Sequence, residues 1–379
     1  MGQSVNESAS IKRFELENMD VVALTRSCCT KYYITAYVDD PGNPYRIFKK
    51  LGDFAKEHNA KIFEQYVFGG CKFYDQGTDA IIRSCGSIKW PVTWIEGDGC
   101  SGEDLTATQA YAVTGSCYKP LIYKGKVVGA LLEDDDARYC RIGDLKPENI
   151  DASNKVQTRQ VFDTMVDILA TVDMDFTNVV RTWMYLNNLL TWYDDFNEVR
   201  NNFFEEHGIF GRVIPASTGI GVANPAGAAL VTDLFAVKPK TDRVKIEAIP
   251  SPLQCPALDY KSSFSRAVEV ALPDHRTLYI SGTASIEPGG ETVYVDDVEK
   301  QIALTMEVTD AILKSRKMDW SDTVRAIAYF KDITNANLFK KYCKDNHLPR
   351  MPFALSHSDV CRDDLLFEIE LDAIKTDTF

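Results

Sequence analysis

Between Leu365 and Leu371 apolar and acidic residues alternate, so an extended chain would place Leu366, Glu368 and Glu370 on one face and Leu365, Phe367, Ile369 and Leu371 on the other. Two carboxyls on one face of a half-apolar strand can support general acid/base chemistry. Burial and a neighbouring negative charge raise a carboxyl pKa and keep the group protonated near neutral pH. The same pattern also fits two solvent-facing glutamates. Arg266, in Phe264-Ser265-Arg266-Ala267, has apolar neighbours and precedes a strand-like run. It suits either a partly buried carboxylate anchor or an intramolecular ion pair. Tyr260, Thr283 and Ser285 offer hydroxyl donors, with backbone N–H groups around Gly282 nearby in sequence.

Other chemistries find less support. The five histidines are scattered, the ten cysteines include only one tight pair, Cys28-Cys29, and neither CxxC nor HExxH occurs, so no metal site is expected. The cysteines read as reduced thiols. Glu133-Asp134-Asp135-Asp136 reads as a solvated acidic loop without EF-hand spacing. The aromatic run from Trp183 to Phe204 has no basic cluster interleaved and reads as packing. A net charge of −13 argues against nucleic acid and anionic lipid as partners. No apolar run approaches the about 18 residues that a membrane span needs. The polar start Met1–Asp20 has no secretory pattern, and the residue six places in is Asn6 rather than the Ser or Thr of a myristoylation motif. A cytoplasmic location is the expectation.

The elements that must position these residues are signalled by an internal repeat. Gln160, Thr164 and Met165 recur as Gln301, Thr305 and Met306; Met174-Asp175-Phe176-Thr177-Asn178-Val179-Val180-Arg181 recurs as Met318-Asp319-Trp320-Ser321-Asp322-Thr323-Val324-Arg325. Each copy reads as helix, strand, helix, strand: 155–171, 179–186, 194–206 and 228–237 in one. The other has a helix from Asp296 onward, strand 324–330, helix 336–345 and strand 365–373, preceded by strand 277–280. Strand 32–38, helix 44–58 and strand 61–68 fit a further βαβ unit that shares no motif with the other two. The pattern predicts an α/β sandwich of the α+β kind, with helices on one face of each sheet. Units are expected at 1–114, 115–245 and 255–379, with the Pro-rich stretch 239–256 as a linker.

These repeats resemble the YjgF/Rid superfamily, whose members are trimers of a small α/β domain with ligand sites between subunits. The resemblance runs through roughly residues 115–375, and the tandem arrangement is most similar to the chorismatase branch. It is carried by Arg181-Thr182-Trp183, Pro215–Gly221, Phe264–Ala267, Ser281–Ile286 and Asp359-Val360-Cys361-Arg362 ahead of Glu368. The resemblance implies cofactor-free hydrolysis of the enolpyruvyl ether of chorismate or a related acid, giving pyruvate and a ring carboxylic acid. Glu368 would be the general acid/base, and Arg266, Tyr260, Thr283, Ser285, Cys361 and Arg181 would bind the small carboxylate substrate. Gly219 and Gly221 are expected to permit turns. A monomer reproducing the trimer internally is expected. The alternatives are a Rid-type imine deaminase and a binding protein without turnover. The deaminase reading is weakened because Ser217 and Ala354 stand where such enzymes are similar in having a carboxylate-gripping arginine, unless Arg212 or Arg350 substitutes through space.

Overall fold

The computed structural model describes residues 9–95, 105–115, 117–260 and 262–376. The first unit contains β1 (Ser10–Leu16), β2 (Met19–Thr25), β3 (Cys29–Tyr37), α1 (Arg46–Glu57), β4 (Lys61–Gly69), α2 (Tyr74–Cys85), β5 (Val92–Ile95) and β6 (Leu105–Gly115). The second contains β7 (Tyr118–Tyr123), β8 (Lys126–Glu133), β9 (Ala137–Leu145), α3 (Asn154–Ala170), β10 (Val179–Leu186), α4 (Tyr193–Glu206), β11 (Ala216–Gly221) and β12 (Leu230–Pro239). The third contains β13 (Lys245–Ile249), β14 (Ala267–Ala271), β15 (Arg276–Ala284), α5 (Val298–Ser315), β16 (Thr323–Phe330), α6 (Ala336–Asp345), β17 (Phe353–His357) and β18 (Phe367–Lys375).

Each unit forms one six-stranded mixed sheet with the same connectivity. The orders are β1-β2-β3-β6-β4-β5, β7-β8-β9-β12-β10-β11 and β13-β14-β15-β18-β16-β17. The last pair in each is parallel, joined through the second helix. The first segment therefore repeats the architecture of the other two although its sequence shares none of their motifs. The expected Pro-rich linker needs correction: residues 245–249 form β13, the edge strand of the third sheet, paired with β14. Its prolines lie outside those five residues, where no ladder hydrogen bond is lost.

One face of each sheet packs under its own helices. Phe367, Ile369, Leu371 and Ala373 of β18 meet Ile302, Met306 and Ile312 of α5, and Phe162, Phe176, Phe196 and Phe203 fill the corresponding core of the second unit. The aromatic run is core packing, as its composition suggests. The opposite faces of all three sheets converge in a central cluster that includes Tyr66, Tyr111, Trp183, Tyr185, Tyr279 and Tyr329.

The acidic run 133–136 is not a solvated loop. Asp134 and Asp136 are nearly buried and ion-pair with Arg26 of the first unit, which also pairs with Asp274 of the third at 2.8 Å. One guanidinium thus ties all three units together, and burial is tolerated because each charge has a partner. Among the described residues no helix is long and apolar enough to cross a membrane, and no group of three or more His, Cys, Asp or Glu could hold a metal ion.

Candidate active site between the second and third units

β11, the edge strand of the second sheet, docks against β15 of the third. The Ser217 N–H donates to Ser281 Oγ at 2.9 Å, and the Gly282 N–H donates to Thr218 Oγ1 at 3.0 Å. The pairing of β15 with β18 shifts register between Ile280 and Thr283, which places Gly282 at a bulge beside Glu368. A Cβ at Gly282 would collide with Glu368 Oε1, so the carboxyl reaches this position only because residue 282 has no side chain.

Glu368 is 4% exposed and faces a small cavity of about 30 Å³. Tyr193, Arg200, Ser217 and Gly219 contribute from the second unit; Tyr260, Phe264, Arg266, Gly282 and Cys361 contribute from the third. The solvent-facing reading of the two glutamates is therefore excluded. Burial, followed by the charge of Glu370, pushes the Glu368 carboxyl up to about 8, against the pull of Arg181 and Arg266. Burial acts on Glu370 in the same direction, but there Arg325 and Arg181 prevail and hold the carboxyl below its ordinary value. Arg181 Nη2 and Arg325 Nη2 each lie 2.7 Å from Glu370, and Trp183 Nε1 donates at 2.9 Å. Two carboxyls on one strand face are thus split into a protonated one toward the cavity and an ionised one behind it.

Arg266 lines the cavity while its Nε and Nη2 donate to the Cys255 carbonyl at 3.0 and 2.8 Å, and its guanidinium lies over the rings of Tyr260 and Phe264. Burial pushes the Tyr260 hydroxyl up to about 12 and does the same to the Cys361 thiol, which therefore stays neutral and lines the wall. Arg181 does not line the cavity. It is fully buried, bonded to Glu370 and Thr218, and acts on Glu368 through its charge rather than by contact. Thr283 and Ser285 do not line it either; their hydroxyls donate to the Ser281 and Val293 carbonyls. Gly219 and Gly221 lie in β11 rather than in turns: Gly219 faces Tyr193, and a Cβ on Gly221 would come within 2.6 Å of the Asp359 Cβ. Arg212 is exposed and Arg350 pairs with Asp20 at 2.8 Å, so neither supplies the arginine missing at Ser217 and Ala354.

Arg200 and Tyr193 escaped sequence reasoning because they lie on α4, whose pattern reads as a packing helix. Arg200 is 2% exposed; it donates from Nη2 to Asn197 at 2.6 Å, and its Nε is buried without a hydrogen-bond partner. A buried guanidinium with an unused donor facing a cavity is a ready site for a carboxylate. A buried arginine within an otherwise apolar helix stripe was the available signal.

The bulges at Ile62/Glu64, Val179/Arg181 and Thr323/Arg325 align the three copies of the sheet. In that alignment Glu368, opposite Tyr329, corresponds to Val231, opposite Tyr185, and to Ala107, opposite Phe68. Glu370 corresponds to Asp233 and Gln109. Only the third sheet presents a carboxyl at the position of Glu368.

Comparison with known proteins places the chain as follows. The sequence pattern described as endoribonuclease L-PSP matches residues 143–231 and 256–375. A chorismatase of Streptomyces rapamycinicus is 27% identical over 238 residues, covering 56% of this chain and 68% of that protein. A 3-hydroxybenzoate synthase of Streptomyces hygroscopicus is 27% identical over 240 residues, covering 56% and 68%. A second Streptomyces hygroscopicus protein, also a chorismatase, is 26% identical and matched over 62% of its length. A chorismatase crystal structure superposes with a TM-score of 0.64 over 92% of this chain and all of that one at 19% identity, a likeness of fold. With its pattern spanning more than half of the residues, the chain belongs to the endoribonuclease L-PSP family, the YjgF/Rid group.

Proposed function

We propose that this protein hydrolyses the enolpyruvyl ether of chorismate, or of a closely related acid, to pyruvate and a ring carboxylic acid. The observation that carries this reading is the carboxyl of Glu368, kept protonated at neutral pH inside a cavity lined by two arginines from different units. The protonated carboxyl delivers its proton to the methylene carbon of the enol ether, leaving an oxocarbenium ion at the ether carbon. Water adds to that carbon and returns a proton to the Glu368 carboxylate. The resulting hemiketal collapses, releasing the ring alcohol and pyruvate. The two substrate carboxylates match Arg200 and Arg266. The cavity of about 30 Å³ accommodates a water-sized molecule, so a ring acid enters by displacing the crowding side chains of Tyr193, Tyr260 and Phe264. Relatives named chorismatase and 3-hydroxybenzoate synthase match at the same identity and coverage, so the identity of the ring acid is read from its mass. All three interfaces lie within one chain, and light scattering should return a monomer.

Incubation with chorismate should release pyruvate, and Glu368→Gln should reduce that release by about 10² to 10⁴ while leaving the circular dichroism spectrum unchanged. Undiminished release by the variant, or binding of chorismate by the wild type without any product, would refute the reading. Ammonia release from 2-aminoacrylate would instead support the deaminase alternative.

A further inference from the structure

Three cysteines come together where the chain passes from the first unit to the second. Cys28 and Cys29 stand at the entry to β3, Cys117 immediately precedes β7, and all three are free thiols packed at the central core. Cys29 lies opposite Gly115, the last residue of β6. Gly115 has a φ of 97°, and a Cβ there would come within 2.4 Å of the Cys28 carbonyl oxygen, so only glycine lets the chain pass this close and turn. Beyond it the Cys117 carbonyl accepts from the Glu133 N–H at 3.0 Å, and the Cys117 sulfur accepts a hydrogen bond from the Cys29 thiol. Cys28 Sγ lies 3.6 Å from Cys29 Sγ.

The three thiols are not alike. Cys29 is buried, whereas Cys28 and Cys117 are half-buried and reach solvent. The hydrogen bond from Cys29 and then the charge of Lys31 hold the Cys117 thiol below its ordinary value, against the cost of burial. The same bond and then burial push Cys29 up, and burial pushes Cys28 up to about 11. Cys117 is thus the thiolate of the group, and Cys29 is the thiol aimed at it. A bridge from Cys28 to Cys29 would join adjacent residues, whose Cα atoms stand about 3.8 Å apart, short of the about 4.4–6.8 Å that disulfides usually span. We propose that Cys29 and Cys117 form a peroxide-sensitive dithiol that closes into a disulfide and joins the first unit covalently to the second. The Cys117 thiolate attacks one oxygen of hydrogen peroxide: the S–O bond of a sulfenic acid forms, the O–O bond breaks, and the departing hydroxide takes from solvent the proton that Cys117 lost on ionising. The Cys29 sulfur then attacks the Cys117 sulfur; the S–S bond forms, the S–O bond breaks, and the hydroxide leaves with the Cys29 proton as a second water. Two thiols are oxidised by two electrons and the peroxide is reduced to two waters. The Cys29 carbonyl accepts from the Arg26 N–H at 2.9 Å, so the bridge adds a covalent tie beside the ion pairs that already join the units.

Treatment of the full chain with hydrogen peroxide, followed by alkylation and peptide mass mapping, tests the proposal. A peptide pair linked through Cys29 and Cys117 should form before any other of the ten cysteines is modified, and dithiothreitol should restore both thiols. Cys29→Ser should leave Cys117 as a sulfenic acid that dimedone traps, whereas Cys28→Ser should still form the bridge. Cys117→Ser should abolish the bridge and slow peroxide consumption about tenfold or more. The oxidised wild type should melt about 3 °C or more above the reduced protein, because the bridge closes a long loop. No linked peptide in the wild type, a bridge between Cys28 and Cys29, oxidation of all exposed cysteines at equal rates, or an unchanged rate in Cys117→Ser would overturn the proposal. Peptide mapping is read on the wild type, so the outcome stands even if a variant fails to fold. It is also independent of whether chorismate is turned over.

Discussion

The junction of the second and third units and that of the first and second share strand order, bulges and one docking hydrogen bond, yet their inner carboxyls are shifted in opposite directions. At the former, Glu370 is gripped by Arg181, Arg325 and Trp183 and stays ionised. At the latter its counterpart Asp233 accepts from Thr93 and the Asp144 N–H, and its Oδ2 has no partner. Burial and then the charge of Glu64 push the Asp233 carboxyl well above its ordinary value, toward the neutral form. Glu64 occupies the position that Arg181 and Arg325 occupy in the other sheets and is itself paired with Arg141 at 2.6 Å. The difference teaches that a raised pKa in the cavity carboxyl depends on burial together with an ionised neighbour, which in turn depends on two buried arginines behind it. Duplication supplied the frame, and the residue at the bulge decided which junction could hold an acid.

The largest effect that would break this comparison concerns substrate carboxylates. Arg200→Ala and Arg266→Ala should each lower kcat/KM for pyruvate release by about 10² or more, since each removes a desolvated charge-assisted contact. Lys146→Ala, at the other junction, should change it less than about twofold. Steady-state kinetics on the three variants decides it; equal losses at both junctions would erase the distinction between them.

A second effect is read in stability against pH. The Glu368 carboxyl titrates near 8 in the folded chain and near its ordinary 4.5 when unfolded. Between those values the unfolded state holds fewer protons, so wild-type stability falls by about 1.4 kcal/mol per pH unit because of this residue and levels off above 8. Glu368→Gln removes that slope. Its melting temperature relative to wild type should therefore rise from pH 5 to pH 8 and then hold steady. A difference independent of pH would show that Glu368 is ionised in the folded protein.

Much of this architecture was legible because repetition and period survive in the sequence. The copies at Met174–Arg181 and Met318–Arg325 announce the tandem units, and the alternation Leu365–Leu371 states which face of β18 carries the carboxyls. The strand β13 was hidden because its flanking prolines dominate a five-residue segment. The site was legible only in part. Glu368, Arg266, Tyr260 and Cys361 meet in one cavity, whereas Thr283 and Ser285 serve backbone carbonyls and Arg181 serves Glu370. Strand parity explains the first miss, since Thr283 lies between Gly282 and Ala284, both of which line the cavity. Arg200 was hard to see because the cavity it faces is completed by residues of another unit, and contacts between units leave no local pattern. Arg26 was missed for the same reason: the acids it joins lie in the other two units, far from it along the chain.

The smallest effect compares the two bulge residues directly. Gly282→Ala places a methyl where Glu368 Oε1 now sits, so either the carboxyl rotates away or β15 shifts. Overpacking of this kind costs about 1–3 kcal/mol, and pyruvate release should fall with it because the acid leaves its place. At the other junction Asp144 stands at the position of Gly282 and has a φ of 53°, a left-handed conformation that glycine adopts without strain. Asp144→Gly relieves that strain and loses a partly exposed ion pair with Lys146, two terms of similar size and opposite sign. Its stability should stay within about 0.5 kcal/mol of wild type in chemical denaturation, with pyruvate release unaffected. If Gly282→Ala proved equally silent, the glycine would not be what admits the carboxyl, and the contrast between the junctions would have to rest on Val231 and Glu368 alone.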